Sequence, residues 1–320
     1  MLRKNKKIVF EDCAEQWLQE KRGKVKESTW TTYSRMLESQ LLPSFSGIPV
    51  KYITKEKIRE YMQEKAEKGK MDGSGGLSAK SCKDLLVLLL AILDYAEEVY
   101  GIKVEVKKIK PREYIQNQCQ ITIETLTEEE CRDLTHILFL QGDGEAIGIL
   151  LSLYTGLRLG EVCALRWENI DLERGVLQIR ATMARVLSVD GAKRTKLIFT
   201  APKTKSSVRD VPIPEMLLPL LEHQNGKTGF LLTGTERYMD MRTLQNHFKR
   251  TLKENGIRPV RYHCLRHTFA TNCVNMEFDI KTVSEILGHS STTVTWERYV
   301  HSSLHRKRIL MQQLSEKMCV

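Results

Sequence analysis

Apolar residues recur at helical spacing through the first third of the chain. Phe10, Cys13 and Trp17, for example, fall on one face of a helix that the pattern places between Phe10 and Arg22. Residues able to cap a helix precede three further periodic segments, and Gly101 is placed to end the last of them. These segments start at Ser28 or Thr29, run from Lys55 to Lys68 after Thr54, and run from Ser78 through Tyr100. The pattern therefore predicts a compact module of four helices.

The helical pattern lapses between Ile102 and Ile121, where the chain is rich in lysine and contains Pro111, which is typical of a linker. Thr127 and Glu130 then have the spacing of a capping box and predict that a helix begins there. Short β-type runs interrupt the helices that follow, which predicts a small antiparallel sheet in a mainly helical domain. The predicted strands are Gly175 to Arg180, Lys196 to Thr200 and Val208 to Ile213, and the predicted helices are Ala146 to Tyr154, Leu159 to Leu165, Arg242 to Asn255, Leu265 to Met276, Ile280 to Leu287 and one after Tyr299.

The charge balance narrows the class of partner. The 320 residues include 50 Lys and Arg against 40 Asp and Glu, a formal net charge of +10. Such an excess raises the affinity for polyanions, so nucleic acid or an anionic membrane is the natural partner, although a merely soluble basic surface explains the same excess. The longest apolar run, Leu85 to Leu93, is too short to span a membrane, and no secretory signal is recognisable. The eight cysteines form no C-x-x-C unit, so we expect a cytoplasmic protein without disulfides or zinc.

Five short motifs beyond the linker carry chemically versatile side chains. None is specific alone, because a single Arg most often belongs to a surface salt bridge and a single Tyr is most often a packing residue. In chain order the motifs are Thr155-Gly-Leu-Arg158-Leu-Gly-Glu161, Pro202-Lys203-Thr204, His263-Cys-Leu-Arg266-His267, Leu287-Gly-His289 and Tyr299.

In this order and spacing the motifs resemble the tyrosine recombinase family of the phage-integrase type, over the chain from Thr122 to its end. The resemblance implies a mainly α protein with a helical, SAM-like core-binding domain at 1–105, a linker at 106–121, and a mixed α+β catalytic domain with a small antiparallel sheet at 122–320. It also implies that DNA is cut and rejoined through a 3′-phosphotyrosine without metal, ATP or another cofactor. The implied catalytic residues are Arg158, Lys203, His263, Arg266, His289 and Tyr299. Beside the site, Glu161 would orient Arg158 or its loop, and His267 would stabilise its helix.

These residue types suit the chemistry on their own terms. Attack on a phosphodiester adds negative charge to the non-bridging oxygens, and the planar guanidiniums of Arg158 and Arg266 can neutralise it without a metal. A phenol with a pKa of about 10 is a poor nucleophile, so Tyr299 needs positive surroundings and a nearby base. His263 and His289 can bind the phosphate or pass a proton, with a plain structural histidine as the alternative for each.

Alternatives stay open for the nucleophile and for the acid. Tyr262 and Tyr238 are the rivals of Tyr299, although neither lies downstream of a Gly-His pair at the family's distance. The family places a mobile lysine on the hairpin after Thr200 to protonate the leaving 5′-oxygen, and this implies Lys203. Lys205 competes for that role, and either lysine can instead contact phosphate or serve solubility.

A metal pair is the other possibility at the His-x-x-Arg-His motif. His263 and His267 are four residues apart, which is the spacing of two zinc ligands on one helix face. Cys264, however, stands where a zinc protease has its glutamate, and no third ligand is evident. We therefore expect no metal.

Contacts with DNA outside the active site are harder to read. Helix N-termini offer backbone N–H groups beside basic or hydroxyl side chains, although a solvated helix face explains each one equally well. The candidates are Thr32, Lys80, Lys83 and Arg242.

The family further implies double-stranded DNA as substrate, a free monomer that forms a homotetramer on synapsed sites, an excisionase or host DNA-bending protein as possible partners, and no membrane partner. Few residues precede the first predicted helix, so the N-terminal arm-binding domain of many integrases is not expected. A type IB topoisomerase-like enzyme and an inactive DNA-binding regulator of the same fold are the alternatives.

Overall fold

The structure, a computed structural model, describes residues 8–104, 124–187, 195–200, 207–224, 226–299, 311–312 and 315–316. The chain divides into two compact units. One comprises Met1–Ile121 with Arg185–Lys196, and the other comprises Thr122–Ala184 with Leu197–Val320. Each unit has its own hydrophobic core.

The N-terminal unit is helical. The Thr54 and Ser78 side chains accept hydrogen bonds from Lys57 N and Ser81 N, which confirms both predicted caps. The predicted start at Ser28 or Thr29 was wrong, because that helix begins earlier and has no side-chain cap. The helices are α1 (Phe10–Lys21), α2 (Glu27–Met36), α3 (Leu42–Phe45), α4 (Lys55–Lys68) and α5 (Ala79–Tyr100), with a π-helical turn at Leu37–Leu41 between α2 and α3.

The C-terminal unit is also mainly helical. Its first helix begins with the predicted capping box, in which Glu130 N donates to Thr127 Oγ1 and Thr127 N donates to Glu130. The helices are α6 (Glu128–Gln141), α7 (Gly144–Thr155), α8 (Leu159–Ala164), α9 (Leu218–Glu222), α10 (Met241–Glu254), α11 (His263–Asn275), α12 (Ile280–Leu287) and α13 (Thr292–Tyr299). The sequence pattern placed a helix only after Tyr299, whereas the structure places Tyr299 at the end of α13.

The described residues between α8 and α9 include five strands. They are β1 (Ile170–Asp171), β2 (Val176–Ile179), β3 (Thr182–Leu187), β4 (Thr195–Thr200) and β5 (Arg209–Pro212). The three predicted strands are confirmed as β2, β4 and β5, but β1 and β3 were missed. The strands also form two sheets instead of one: β1-β2-β5 is antiparallel, with Leu177 opposite Val211, and β3 pairs with β4.

The core of this unit is built around α7, whose residues are buried on every side from Ala146 to Leu153. A smaller apolar cluster joins α11, α12 and α13, and it includes Val283, Leu287 and the nucleophile candidate Tyr299. The motif residues at the ends of these helices are therefore held by packed elements. In the part of the chain that the structure describes, no helix is long and apolar enough to cross a membrane.

Candidate active site

The Thr-Gly-Leu-Arg-Leu-Gly-Glu motif forms the turn between α7 and α8. Gly156 ends α7 with φ +67°, and a Cβ there would lie 2.5 Å from Phe269 Cδ1. A Cβ on Gly160 would lie 2.4 Å from the Met183 carbonyl oxygen. Both glycines are thus required by close packing, the first also by its backbone conformation. The turn brings Arg158 to the first position before α8.

Glu161 holds Arg158 at this turn. The carboxylate accepts a hydrogen bond from the Arg158 backbone N–H at 2.8 Å and another from its guanidinium at 2.8 Å. The guanidinium also donates to the Gly288 carbonyl at 3.2 Å. Glu161 is 3% exposed, whereas the Arg158 side chain is 35% exposed, so the arginine can still reach a ligand. That Glu161 orients Arg158 or its loop for catalysis stays a prediction.

Arg209, which the sequence analysis missed, completes this arrangement. Its guanidinium donates to both Glu161 oxygens at 3.0 Å and also to the carbonyls of Ser207 and Ile286. Burial would raise the pKa of Glu161, but hydrogen bonds and charge from Arg209 and Arg158 lower it below its ordinary value. One signal was available in the sequence. Arg209 and Val211 are two residues apart in a strand, so both side chains lie on the inward face of β5, and a buried arginine needs a partner.

Arg266 is buried, at 3% exposure, in the first turn of α11. It donates to the carbonyls of Gly156 at 2.7 Å and Leu287 at 2.8 Å. Burial, together with the positive charges of Arg158 and Arg209, lowers the pKa of Arg266 to about 9. The guanidinium therefore stays protonated at neutral pH. Because the positive charges of Arg158 and Arg266 repel each other, this part of the site is suited to an anion.

His289 lies in the turn after α12 and contacts Arg266. Its Nε2 is 2.9 Å from Arg266 Nη2, and its Nδ1 is 2.7 Å from Thr295 Oγ1. An arginine can only donate, so Nε2 accepts and Nδ1 carries the proton that Thr295 accepts. These partners assign a neutral imidazole to His289. Gly288 makes the turn possible, since its φ is +64° and a Cβ there would lie 2.9 Å from Arg209 Nη1.

Tyr299 and His267 form a direct pair. The Tyr299 hydroxyl oxygen lies 2.7 Å from His267 Nδ1, and Tyr299 is 6% exposed. The exposed ring of His263 contacts the His267 ring edge to face, with centroids 4.5 Å apart. The sequence analysis placed His267 beside the site as a helix-stabilising residue, whereas the structure brings it to the hydroxyl of the nucleophile candidate.

The two rival tyrosines lie elsewhere. Tyr262 is buried, its hydroxyl lies 2.8 Å from Ser152 Oγ, and burial raises its pKa well above the ordinary value. Tyr238 is 49% exposed and packs edge to face against Phe199. Among the described residues, neither tyrosine has a base or an arginine pair comparable with that around Tyr299.

A metal-capable group occurs outside this site. Within the described ranges, one set of side chains, Asp143, Glu145 and His247, brings its ligand atoms within 4.8 Å of one another. Asp143 already accepts from Ala146 N, and the Arg250 guanidinium lies 3.1 Å from His247 Nδ1. A Glu145 carboxylate oxygen also lies 2.9 Å from His247 Nδ1, so protein groups already engage each of the three side chains. At the other metal candidate, His267 Nδ1 is engaged by Tyr299.

The structure does not test the remaining predicted residues. Lys203 and Lys205 lie outside the described residues, so the choice between them stays a prediction. The four candidates for DNA contact are exposed, and the Thr32 hydroxyl donates to the Ser28 carbonyl of its own helix. Their role also stays a prediction. The other three are Lys80, Lys83 and Arg242.

Both units of the chain match known protein families. The Phage integrase family matches residues 124–306, more than half of the chain, and the phage integrase N-terminal SAM-like domain matches residues 9–66. A tyrosine recombinase XerC-like protein of Caldanaerobacter subterraneus is 29% identical over 334 residues, covering 97% of this chain and 83% of the relative. Tyrosine recombinase XerA of Pyrococcus furiosus is 30% identical over 178 residues, covering 53% of this chain and 55% of the relative.

Solved structures share the fold. The Tn1549 transposon integrase in complex with transposon right end DNA superposes with a TM-score of 0.78 at 22% identity, covering 96% of this chain and 100% of that one. A lambda integrase tetramer bound to a Holliday junction gives a TM-score of 0.61 at 18% identity, covering 89% and 79%. The predicted fold class, mainly helical with a SAM-like domain and small antiparallel sheets, is confirmed.

Proposed function

Because the chain belongs to the phage integrase family, the tyrosine recombinases, and is thus an enzyme that transfers DNA strands, we propose that it cuts and rejoins duplex DNA through a 3′-phosphotyrosine at Tyr299. The observation that carries this proposal is the convergence of two arginines and a histidine on the turn after α12. Arg158 binds the Gly288 carbonyl, Arg266 binds the Leu287 carbonyl, and His289 in that turn contacts Arg266.

The arginines would hold the scissile phosphate. Negative charge grows on the non-bridging oxygens as the phosphorus becomes five-coordinate, and preorganised guanidiniums stabilise it more than they stabilise the starting phosphodiester. Arg266 is fixed by two carbonyls, and Arg158 is fixed by Glu161, so neither must reorganise during the reaction. This charge stabilisation is the reason why the proposed reaction needs no metal.

The energy of the phosphodiester is kept in the tyrosyl ester. The Tyr299 oxygen forms a bond to phosphorus while the bond to the 5′-oxygen breaks, and that oxygen takes a proton from the hairpin lysine, which we assign to Lys203. Rejoining is the reverse reaction, with a 5′-hydroxyl as the attacking group. No nucleotide is consumed, in keeping with the lack of a G-x-x-x-x-G-K-[ST] segment in the sequence.

Recombination would require an assembly. Relatives of the same fold occur as an integrase bound to transposon end DNA and as a lambda integrase tetramer on a Holliday junction. We propose that this chain likewise binds double-stranded recombination sites, that four copies assemble on two synapsed sites, and that an excisionase or a host DNA-bending protein assists. A monomer is expected in the absence of DNA.

The experiment that tests the proposal is covalent trapping on a suicide duplex, in which a nick lets the leaving strand diffuse away. The wild-type protein should yield an SDS-resistant adduct whose peptide mass maps to Tyr299, and Tyr299→Phe should yield none while binding the duplex normally. An adduct that persists in Tyr299→Phe and maps to Tyr262 or Tyr238 contradicts the assignment. Efficient relaxation of a supercoiled plasmid that lacks recombination sites would favour the topoisomerase-like alternative.

A further inference from the structure

The hydroxyl of Tyr299 has a titratable partner within the site. His267 Nδ1 lies 2.7 Å from the Tyr299 oxygen, and the two rings are 5.7 Å apart and tilted by 52°. Their separation along the chain is 32 residues, so α11 and α13 must pack against each other to make the contact. Val274 and Leu287 belong to the same small apolar cluster as Tyr299, and that cluster holds the pair together.

The distance allows a proton transfer. A hydroxyl donates along this line when the imidazole carries its own proton on Nε2 and leaves the Nδ1 lone pair free to accept. An imidazole with an ordinary pKa of about 6.5 is largely unprotonated at neutral pH, whereas a phenol with a pKa of about 10 is largely protonated. These ordinary values are the ones that a base and its nucleophile require.

We propose that His267 is a catalytic residue that takes the proton of Tyr299 as its oxygen attacks the phosphate. The inference rests on the proposed function of Tyr299. In the cleavage step the bond between Tyr299 Oη and phosphorus forms, the bond between phosphorus and the 5′-oxygen breaks, and the Oη proton moves to His267 Nδ1. The 5′-oxygen takes a different proton, from the hairpin lysine. In rejoining, the imidazolium of His267 returns its proton to Tyr299.

The charges around the pair favour this direction of transfer. Arg266 is next to His267 on α11, is buried, and is attracted by a negative Tyr299, so it stabilises the phenolate. The exposed ring of His263, 4.5 Å from the His267 ring, is a further titratable group of α11 beside the pair, and the Cys273 thiol of α11 belongs to the same apolar cluster as Tyr299. His289, at the end of α12, has both ring nitrogens engaged by Arg266 and Thr295. His267 is thus the imidazole placed to receive the Tyr299 proton.

Two substitutions separate a base from a positioning residue. His267→Asn keeps an oxygen acceptor near the place of Nδ1, but an amide cannot hold a full proton, whereas His267→Ala removes both functions. If His267 is the base, single-turnover cleavage of the suicide duplex falls by about a hundredfold to ten-thousandfold in both variants, while binding in a gel-shift assay stays within about twofold. If His267 only positions the tyrosine, His267→Asn cleaves near the wild-type rate, and the proposal is overturned. His136→Asn, an exposed histidine on α6, is the matched control and should cleave as the wild type does.

The pH dependence supplies a second readout that a structural role would not change. Without a base, the rate should follow the fraction of phenolate, which rises about tenfold per pH unit below a pKa of about 10. The defect of His267→Asn should therefore shrink as the pH rises from 7 to 9, and fluorotyrosine at position 299, a more acidic phenol, should shrink it further at pH 7. Arg158→Ala should show no such recovery, because its task concerns the phosphate oxygens. A His267→Asn defect that is constant with pH contradicts the inference, whereas a wild-type protein that forms no Tyr299 adduct contradicts the proposed function itself.

Discussion

Replacing Arg209 with methionine tests whether a buried residue behind Arg158 supports the active site. The substitution keeps much of the side-chain volume but removes the guanidinium that donates to both oxygens of Glu161. Glu161 is 3% exposed, so water cannot substitute for the lost donors. The carboxylate would then depend on Arg158, which is itself the proposed phosphate ligand.

The structure sets the expected magnitude. Removing one partner of a buried ion pair costs about 3–5 kcal/mol, because the other charge stays buried. Arg158 still neutralises part of the Glu161 charge, so we expect about 3 kcal/mol in the free energy of unfolding. We also expect a loss of about a hundredfold in cleavage, since a small displacement of Arg158 misaligns it with the phosphate.

The ion pair also predicts how the stability difference between wild type and Arg209→Met depends on pH. Burial acts to raise the pKa of Glu161, and hydrogen bonds and charge from the two arginines lower it in the wild type. A lowered carboxyl pKa contributes stability that is present above the unfolded value of about 4.3 and is lost as the pH falls through the folded pKa. Without Arg209 the folded pKa rises, so the stability difference between wild type and variant should be largest near pH 7 and should shrink in acid.

The assay is urea unfolding at pH 7 and pH 4 for Arg209→Met, Glu161→Gln and the double variant. The double variant should be more stable than the sum of the single effects predicts, by about 1–3 kcal/mol. Arg180→Met is the matched control, since Arg180 pairs with Asp210 beside the same strand but is 41% exposed, and its loss should cost less than about 1 kcal/mol. An Arg209→Met defect that is equal at both pH values, or additive with Glu161→Gln, would refute the reasoning.

Four further outcomes are expected. Lys203→Ala should slow cleavage by about a hundredfold to ten-thousandfold and should be largely rescued by a bridging 5′-phosphorothiolate, whose sulfur leaves without an acid; rescue of Lys205→Ala instead would move the acid to Lys205. The cleavage rate in EDTA should equal the rate in magnesium, apart from effects on DNA binding. A requirement for metal would contradict the proposal that Arg158 and Arg266 stabilise the charge on the phosphate. Gly156→Ala should lower the melting temperature more than Gly175→Ala, because both glycines have positive φ but only the first lacks room for a Cβ. Deleting residues 303–320 should weaken recombination more than DNA binding if that segment packs on a neighbouring protomer, and equal loss of both would favour packing within one chain.

Much of this protein could be predicted from the chain because the signals are local. Thr54, Ser78 and the pair Thr127 and Glu130 cap helices through contacts that span three residues. Gly156, two residues before Arg158, ends α7 in the left-handed conformation that glycine adopts readily. The order of the motifs similarly indicated the family, since a set of residue types in sequence suffices for recognition.

The tertiary structure decided which residues touch. Arg209 meets Glu161 across 48 residues, and His267 meets Tyr299 across 32, so no local pattern identifies either pair. Strand β3 was missed because pairing with β4, more than its own residue alternation, makes it a strand. Hydrogen bonds and ion pairs depend on positions to within a few tenths of an ångström, and the packing of α7, α8, α11, α12, α13 and β5 sets those positions. The sequence determined which chemical groups this protein has, whereas the fold decided which of them act together.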